Sequence, residues 1–231
     1  MAHHPSYYPN RLLAFVKWPV AILAIAALPF VVMSLGDSAL AKLSFTDCEW
    51  LVYGAAGYFA AWFLIFRRQF AGSYFSTFEH ELTHALFAWT TLHRVTGLTV
   101  TWRDGGVCTY EGSGGGNWLI TIAPYWFPTL VWPTILATHL LHPAHSEVLN
   151  ILTGVAIAYH VTSTWRETHR KQPDLQKTTF TFAAMFLPTA NLLVYGTILL
   201  IATTGADDAV ALMADVWARM WTFTQAHLLT G

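Results

Sequence analysis

Apolar side chains run through this chain in long blocks, and charged ones gather at the joints between them. Asp, Glu, Lys and Arg are missing from Trp18 to Gly36, Trp50 to Phe66, Gly112 to Ser146, Val148 to Trp165 and Thr178 to Ala206. Each block matches or exceeds the roughly 17 to 25 residues that carry a helix across a bilayer. The pattern predicts helices near 13–36, 49–66, 72–92, 117–141, 146–166 and 178–203. The fold class expected is an all-α polytopic membrane protein with about six transmembrane or membrane-embedded helices. Beyond Asp207 and Asp208, the residues Val210, Met213, Val216, Trp217, Met220 and Trp221 recur at helical spacing. They predict an amphipathic helix over 207–228, lying at the interface or packed on the bundle. No repeat or linker divides the chain, so one membrane domain is expected over 1–231.

Between the third and fourth helices the period changes from helical to alternating. The segment 96–118, TGLTVTWRDGGVCTYEGSGGGNW, alternates, turns at Asp104-Gly105-Gly106, alternates again and ends in a glycine cluster. This predicts a β-hairpin followed by a flexible joint.

Composition supports lipid as the solvent: 55% of residues are hydrophobic and 11% charged, against about 25% charged in ordinary soluble proteins. Arg11 and Lys17 ahead of the first block could belong to a signal peptide. No small-x-small cleavage pattern follows, however, and a retained first helix is expected. A net charge of −1 without a basic stripe points away from a nucleic-acid partner. Cys48 and Cys108 lack metal-type spacing and define neither compartment nor chemistry.

The basic residues constrain topology. Arg11 and Lys17, then Arg67 and Arg68, then Arg166, Arg170, Lys171 and Lys177 form three groups that the positive-inside rule assigns to one side. Three predicted helices separate the second group from the third, and an odd number of crossings cannot return the chain to the same side. One of the three must fail to cross completely, or the hairpin must bring the chain back. The least apolar, 72–92, is the expected one, with its hairpin dipping into the membrane and returning. Non-helical backbone survives at that depth only against protein or water, so a wet cavity is expected beside the polar helix.

That helix holds the candidate chemistry. STFEHELTHALFAWTTLHRV, 76–95, carries Glu79, His80, Glu81, His84 and His93 among apolar neighbours. An acidic or basic side chain at mid-bilayer costs roughly 2.5 to 3.5 kcal/mol on the insertion scale, so such a cluster signals function. His80-Glu81-Leu82-Thr83-His84 is an H-E-x-x-H sequence. Residues four apart share a helix face, so both imidazoles can hold one Zn²⁺ while Glu81 acts as general base on an activated water. The bland alternative is a satisfied structural cluster of His and Glu. A catalytic zinc takes a third protein ligand, for which Asp174 in RKQPDLQ and His160 are the candidates. Asp174 could equally cap the sixth helix, and His160 could be a hydrogen-bonded core residue. His139, His142 and His145 cluster at a loop and read as solvated or interfacial.

The stretch FEHELTHALFAWTTLHRVTGLTVTWRDGGVCTYEGSGGGNWLITIAPYWFP resembles the core of the site-2 protease family of intramembrane zinc metalloproteases, particularly its small bacterial branch. There an H-E-x-x-H helix leads to a glycine-marked hairpin and a membrane helix with prolines, here Pro124, Pro128 and Pro133. The likeness covers about residues 70–195. It implies cleavage of a membrane protein substrate within or beside the bilayer, in a bacterial inner membrane. Zn²⁺ would be held by His80, His84 and a later carboxylate. The hairpin, at Gly105, Gly106 and Val107, would pair with unwound substrate by strand addition. FLPTANLLVYG departs from the better-known members, because it has Pro188 and Asn191 but lacks their Asp-Gly. Asp174 ahead of Pro188 fits the small branch and becomes the preferred third ligand over His160. Asn191 would then orient substrate or oxyanion. Two other functions stay open: a non-catalytic scaffold or assembly subunit of a larger complex, and a transporter whose histidines relay protons or metal ions.

Overall fold

The computed structural model describes residues 4–39, 41, 43–65, 71–101, 105–112, 116–141 and 145–228. Arg67, Arg68, Asp104, the glycine cluster at 113–115 and His142 lie outside them. The described chain is mostly helical. Helix α1 spans Tyr7–Ser34 and runs into a π-helical turn, Leu35–Ala39. Then come α2 (Phe45–Leu64), α3 (Ala71–Thr90), strands β1 (Arg94–Val100) and β2 (Gly106–Glu111), and α4 (Trp118–Ile122). A 3₁₀ turn, Ala123–Tyr125, leads towards α5 (Val131–Leu140), followed by α6 (Ser146–Glu167), α7 (Pro173–Thr178), α8 (Phe180–Thr203) and α9 (Ala206–Leu228).

α1 and α8 lie side by side and parallel. Trp18 packs edge-on to Phe182, the Thr189 hydroxyl donates to the Ala24 carbonyl at 2.7 Å, and Leu35 packs over Gly196. Among the described residues, these two helices are long and apolar enough to cross a membrane. The expectation of about six spans is met in part: helices abound, but two of them pass that test. The amphipathic helix expected over 207–228 is α9, whose Ala209, Leu212 and Val216 pack on Val31, Leu35 and Leu200. Its Val210, Met213, Trp217 and Trp221 stay exposed.

The hairpin forms as expected. β1 and β2 pair antiparallel from Arg94↔Glu111 to Val100↔Gly106, with an irregularity between Val95 and Gly97. Gly105 has φ +84°, a conformation that L side chains rarely adopt.

The segment 117–141 departs from expectation. It is not one helix but the short α4, the 3₁₀ turn, a non-helical passage and then α5. Pro124 and Pro128 supply the reason, since each lacks an N–H and restricts the residue before it. α5 has 10 residues, about 15 Å at 1.5 Å per residue, half a bilayer. α3, expected to cross incompletely, is a continuous 20-residue helix and is not one of the two described helices long and apolar enough to cross a membrane. A break in helical backbone between the second and third basic groups falls within 117–141.

A break of this kind orphans backbone groups, and buried polar side chains meet them. His160 Nε2 donates to the Pro124 carbonyl at 3.2 Å, and Asn191 Nδ2 to the Tyr125 carbonyl at 3.1 Å. Glu79 Oε1 accepts from the Leu130 N–H at 3.2 Å, just ahead of α5, and the Thr83 and Thr129 hydroxyls bond each other. Glu79 is 3% exposed and His160 2%. These side chains thereby meet the released backbone groups, which offsets part of the cost of burying both.

α2 packs on α6 with the backbones almost touching. A Cβ at Gly54 would lie 2.0 Å from the Ile151 carbonyl oxygen, and one at Gly154 would lie 2.0 Å from that of Leu51. Backbone cannot swing aside as a long side chain can. Gly154→Ala is expected to destabilise the protein by about 1–3 kcal/mol, the range for overpacking, read as a lower unfolding midpoint in detergent.

Candidate metal centre

The unbroken α3 puts His80 and His84 one turn apart on the same face, and their rings meet edge-on with centroids 4.7 Å apart. Asp174 comes to them from α7. Its Oδ2 lies 3.2 Å from His80 Nε2 and 3.2 Å from His84 Nε2. Zinc bound at about 2.0–2.1 Å in a tetrahedron sets its ligand atoms roughly 3.3 Å apart. Donor atoms of all three residues lie within 4.8 Å of one another. The donor set of two imidazoles and one carboxylate fits a divalent transition metal, with room for a further ligand.

The local fold explains how Asp174 arrives. Pro173 opens α7 with its φ preset for a helix, and Asp174 follows in the first turn. Gln172 occupies the N-cap position of α7 and Thr179 that of α8, so Asp174 caps neither helix. At the other end Thr179 takes φ +71°, which is uncommon for a β-branched residue and turns α7 away from α8. Leu175 and Phe182 then anchor both helices in one core with Trp118 and Tyr125. Lys177 Nζ, 3.3 Å from Asp174 Oδ1, occupies the other carboxylate oxygen.

The outer ring nitrogens are also engaged. His84 Nδ1 donates to the Ile120 carbonyl at 2.8 Å, and His80 Nδ1 lies 2.7 Å from Glu167 Oε2. With the protons on Nδ1, both Nε2 lone pairs face Asp174, as metal ligation requires. The Ile120 carbonyl is positioned by Asn117, which caps α4 through the Leu119 and Ile120 N–H groups. Asn117 donates to Asn10 Oδ1 on α1 at 2.8 Å, and Asn10 in turn bonds His93 at the entrance to β1.

His80, Glu81 and His84 line a cavity of about 1180 Å³, walled by α1, α4, α7 and the hairpin strand from Gly106 to Tyr110. A hypothetical Cβ on Gly106 would stand 2.7 Å from Glu81 Cγ and 2.6 Å from Thr77 Cγ2. Only glycine allows the strand this close to Glu81. Gly105 and Val107 also line the cavity.

The peptidase M50B-like family model matches residues 53–227. The chain belongs to this family. That membership agrees with the resemblance to the site-2 proteases drawn from residues 78–128. Among curated proteins and solved structures, no match is found. Within this M50B-like chain the structure brings His80, His84 and Asp174 together, with Glu81, Gly105, Gly106 and Val107 around the same cavity. His160 stands apart: Nε2 bonds the Pro124 carbonyl, and Nδ1 accepts from the Tyr195 hydroxyl at 2.6 Å. Asn191 does not line the cavity, because its amide nitrogen is held by the Tyr125 and Leu187 carbonyls. Glu167 went unnoticed in the sequence, where TWRETH reads as the charged end of a helix. An acidic residue at the end of a largely apolar helix, next to basic neighbours, was the available signal.

The two third-ligand candidates separate experimentally. Asp174→Ala is expected to abolish stoichiometric zinc in the purified protein. His160→Ala should keep the zinc and lose thermal stability, because it strips the Pro124 carbonyl of its partner. Elemental analysis beside an unfolding curve reads both.

Proposed function

We propose that this M50B-like protein is an intramembrane zinc metalloendopeptidase that hydrolyses peptide bonds of a membrane protein within or near the bilayer. The observation that carries the reading is the convergence of His80 Nε2, His84 Nε2 and Asp174 Oδ2 at metal-ligand spacing, in a cavity edged by a β-strand. Zinc held by these three residues would supply a Lewis acid that polarises the scissile carbonyl and brings the pKa of water towards about 7.

The chain's own residues do the rest. Glu81, which follows ligand His80 and faces the cavity, takes the proton of the attacking water at its carboxylate. It then returns that proton to the departing amine nitrogen. Among the described residues β2 has one edge paired with β1 and no strand on the other. An extended substrate can add there, its backbone fixed by main-chain hydrogen bonds at Gly106 to Tyr110. A substrate helix must unwind to bind so, which exposes the peptide bond that a helix would keep hydrogen-bonded. The integral, multi-pass arrangement and a bacterial inner membrane belong to this proposal, with the substrate and the surrounding lipid as partners.

Two substitutions test the assignment in proteoliposomes with a model membrane substrate. Glu81→Gln should retain zinc and lose activity by about 10²–10⁴-fold, the usual worth of general acid–base catalysis; an undiminished cleavage rate would overturn the reading. Gly106→Ala should also keep zinc yet cut the turnover rate, because its methyl group displaces the Glu81 side chain.

A further inference from the structure

The metal centre has an asymmetry that the proposed mechanism does not use. Behind His84 stands a neutral backbone carbonyl, that of Ile120, whereas behind His80 stands the carboxylate of Glu167. Both oxygens of that carboxylate are committed. Oε2 lies 2.7 Å from His80 Nδ1, and Oε1 accepts from the Ser76 hydroxyl at 2.7 Å. Ser76 also bonds Ser163, which precedes Glu167 by one turn on the same face of α6. The Glu167 side chain keeps 26% of its exposure and lies at the cavity wall.

We propose that Glu167 is a positioning residue for the metal centre, fixing the ring orientation and tautomer of His80 and tying zinc affinity to the placement of α6. The inference rests on the zinc peptidase reading. A carboxylate behind a ligating imidazole holds the proton on the outer nitrogen, aims the inner lone pair and raises the ligand's basicity. Loss of such a partner costs 10–100-fold in metal affinity or activity. Here the partner comes from another helix, 87 residues away. α6 is locked to α2 through Gly54 and Gly154, and it bridges to α3 through these polar side chains. A shift of the α2–α6 pair would therefore withdraw the carboxylate from His80, so the pair is placed to modulate the centre.

The test is the zinc dissociation constant of full-length Glu167→Gln and of wild type, by competition with a chromophoric chelator in detergent. The unfolding midpoint of each metal-free protein is recorded alongside. Glutamine keeps a hydrogen-bond acceptor but removes the charge, and the expected result is a 10–100-fold weaker zinc affinity at an unchanged metal-free midpoint. Equal affinities would overturn the role of Glu167 alone. A weaker affinity that merely tracks a lowered midpoint would overturn it as well, in favour of a structural role. A wild type that takes up no zinc would overturn the peptidase reading and this role with it. Should Glu167→Gln not fold, Ser76→Ala carries the same test: it frees Oε1, with a severalfold loss expected and no loss overturning the role.

Discussion

A backbone that leaves the helix inside an apolar protein must find partners for every carbonyl and amide it releases, and much of this structure follows from that requirement. The break after α4 frees groups on Pro124, Tyr125 and Leu130, and α6, α8 and α3 supply His160, Asn191 and Glu79 to meet them. These contacts fasten three helices around one irregular passage. They also explain why the chain carries buried polar residues beyond those facing the cavity. Non-helical backbone in such surroundings is stable only when every group is so matched.

The same break builds the candidate metal centre. Because α4 is short and separately capped by Asn117, its Ile120 carbonyl reaches His84. The 3₁₀ turn that follows sets the fully buried Tyr125 ring edge-on to His80, with centroids 5.5 Å apart. The turn thus flanks His80 and the short α4 backs His84, while α7 brings Asp174 from the front. Two histidines and a carboxylate at 3.2 Å spacing are costly to bury and are matched on each outer nitrogen, an arrangement that suits ligation better than a plain structural cluster.

Several polar residues that look alike in the sequence divide into two classes in space. Glu79 and Glu81 are two positions apart on one helix, yet Glu81 faces the cavity and Glu79 the start of α5. His84 and His160 are both buried histidines, but one points Nε2 at a carboxylate and the other at a backbone carbonyl. Residue type gives the chemical capacity of each, and the neighbour decides which capacity is used.

The sequence by itself determined the helical character of the chain, the hairpin behind the polar helix, and the pair His80 and His84 with Glu81 between them. All of these rest on local periodicity: helical spacing, alternation, and the rule that residues four apart share a face. The charge pattern also called for an interruption between the second and third basic groups, and a break in the helical backbone lies between them, within 117–141. Only tertiary structure decided that the prolines of 117–141 break that segment, that Asp174 rather than His160 joins the histidines, and that Glu167 backs His80. Those outcomes depend on contacts between residues far apart in the chain, which no local pattern encodes. They follow from how α6, α7 and α8 pack around a backbone whose released hydrogen-bonding groups had to be met.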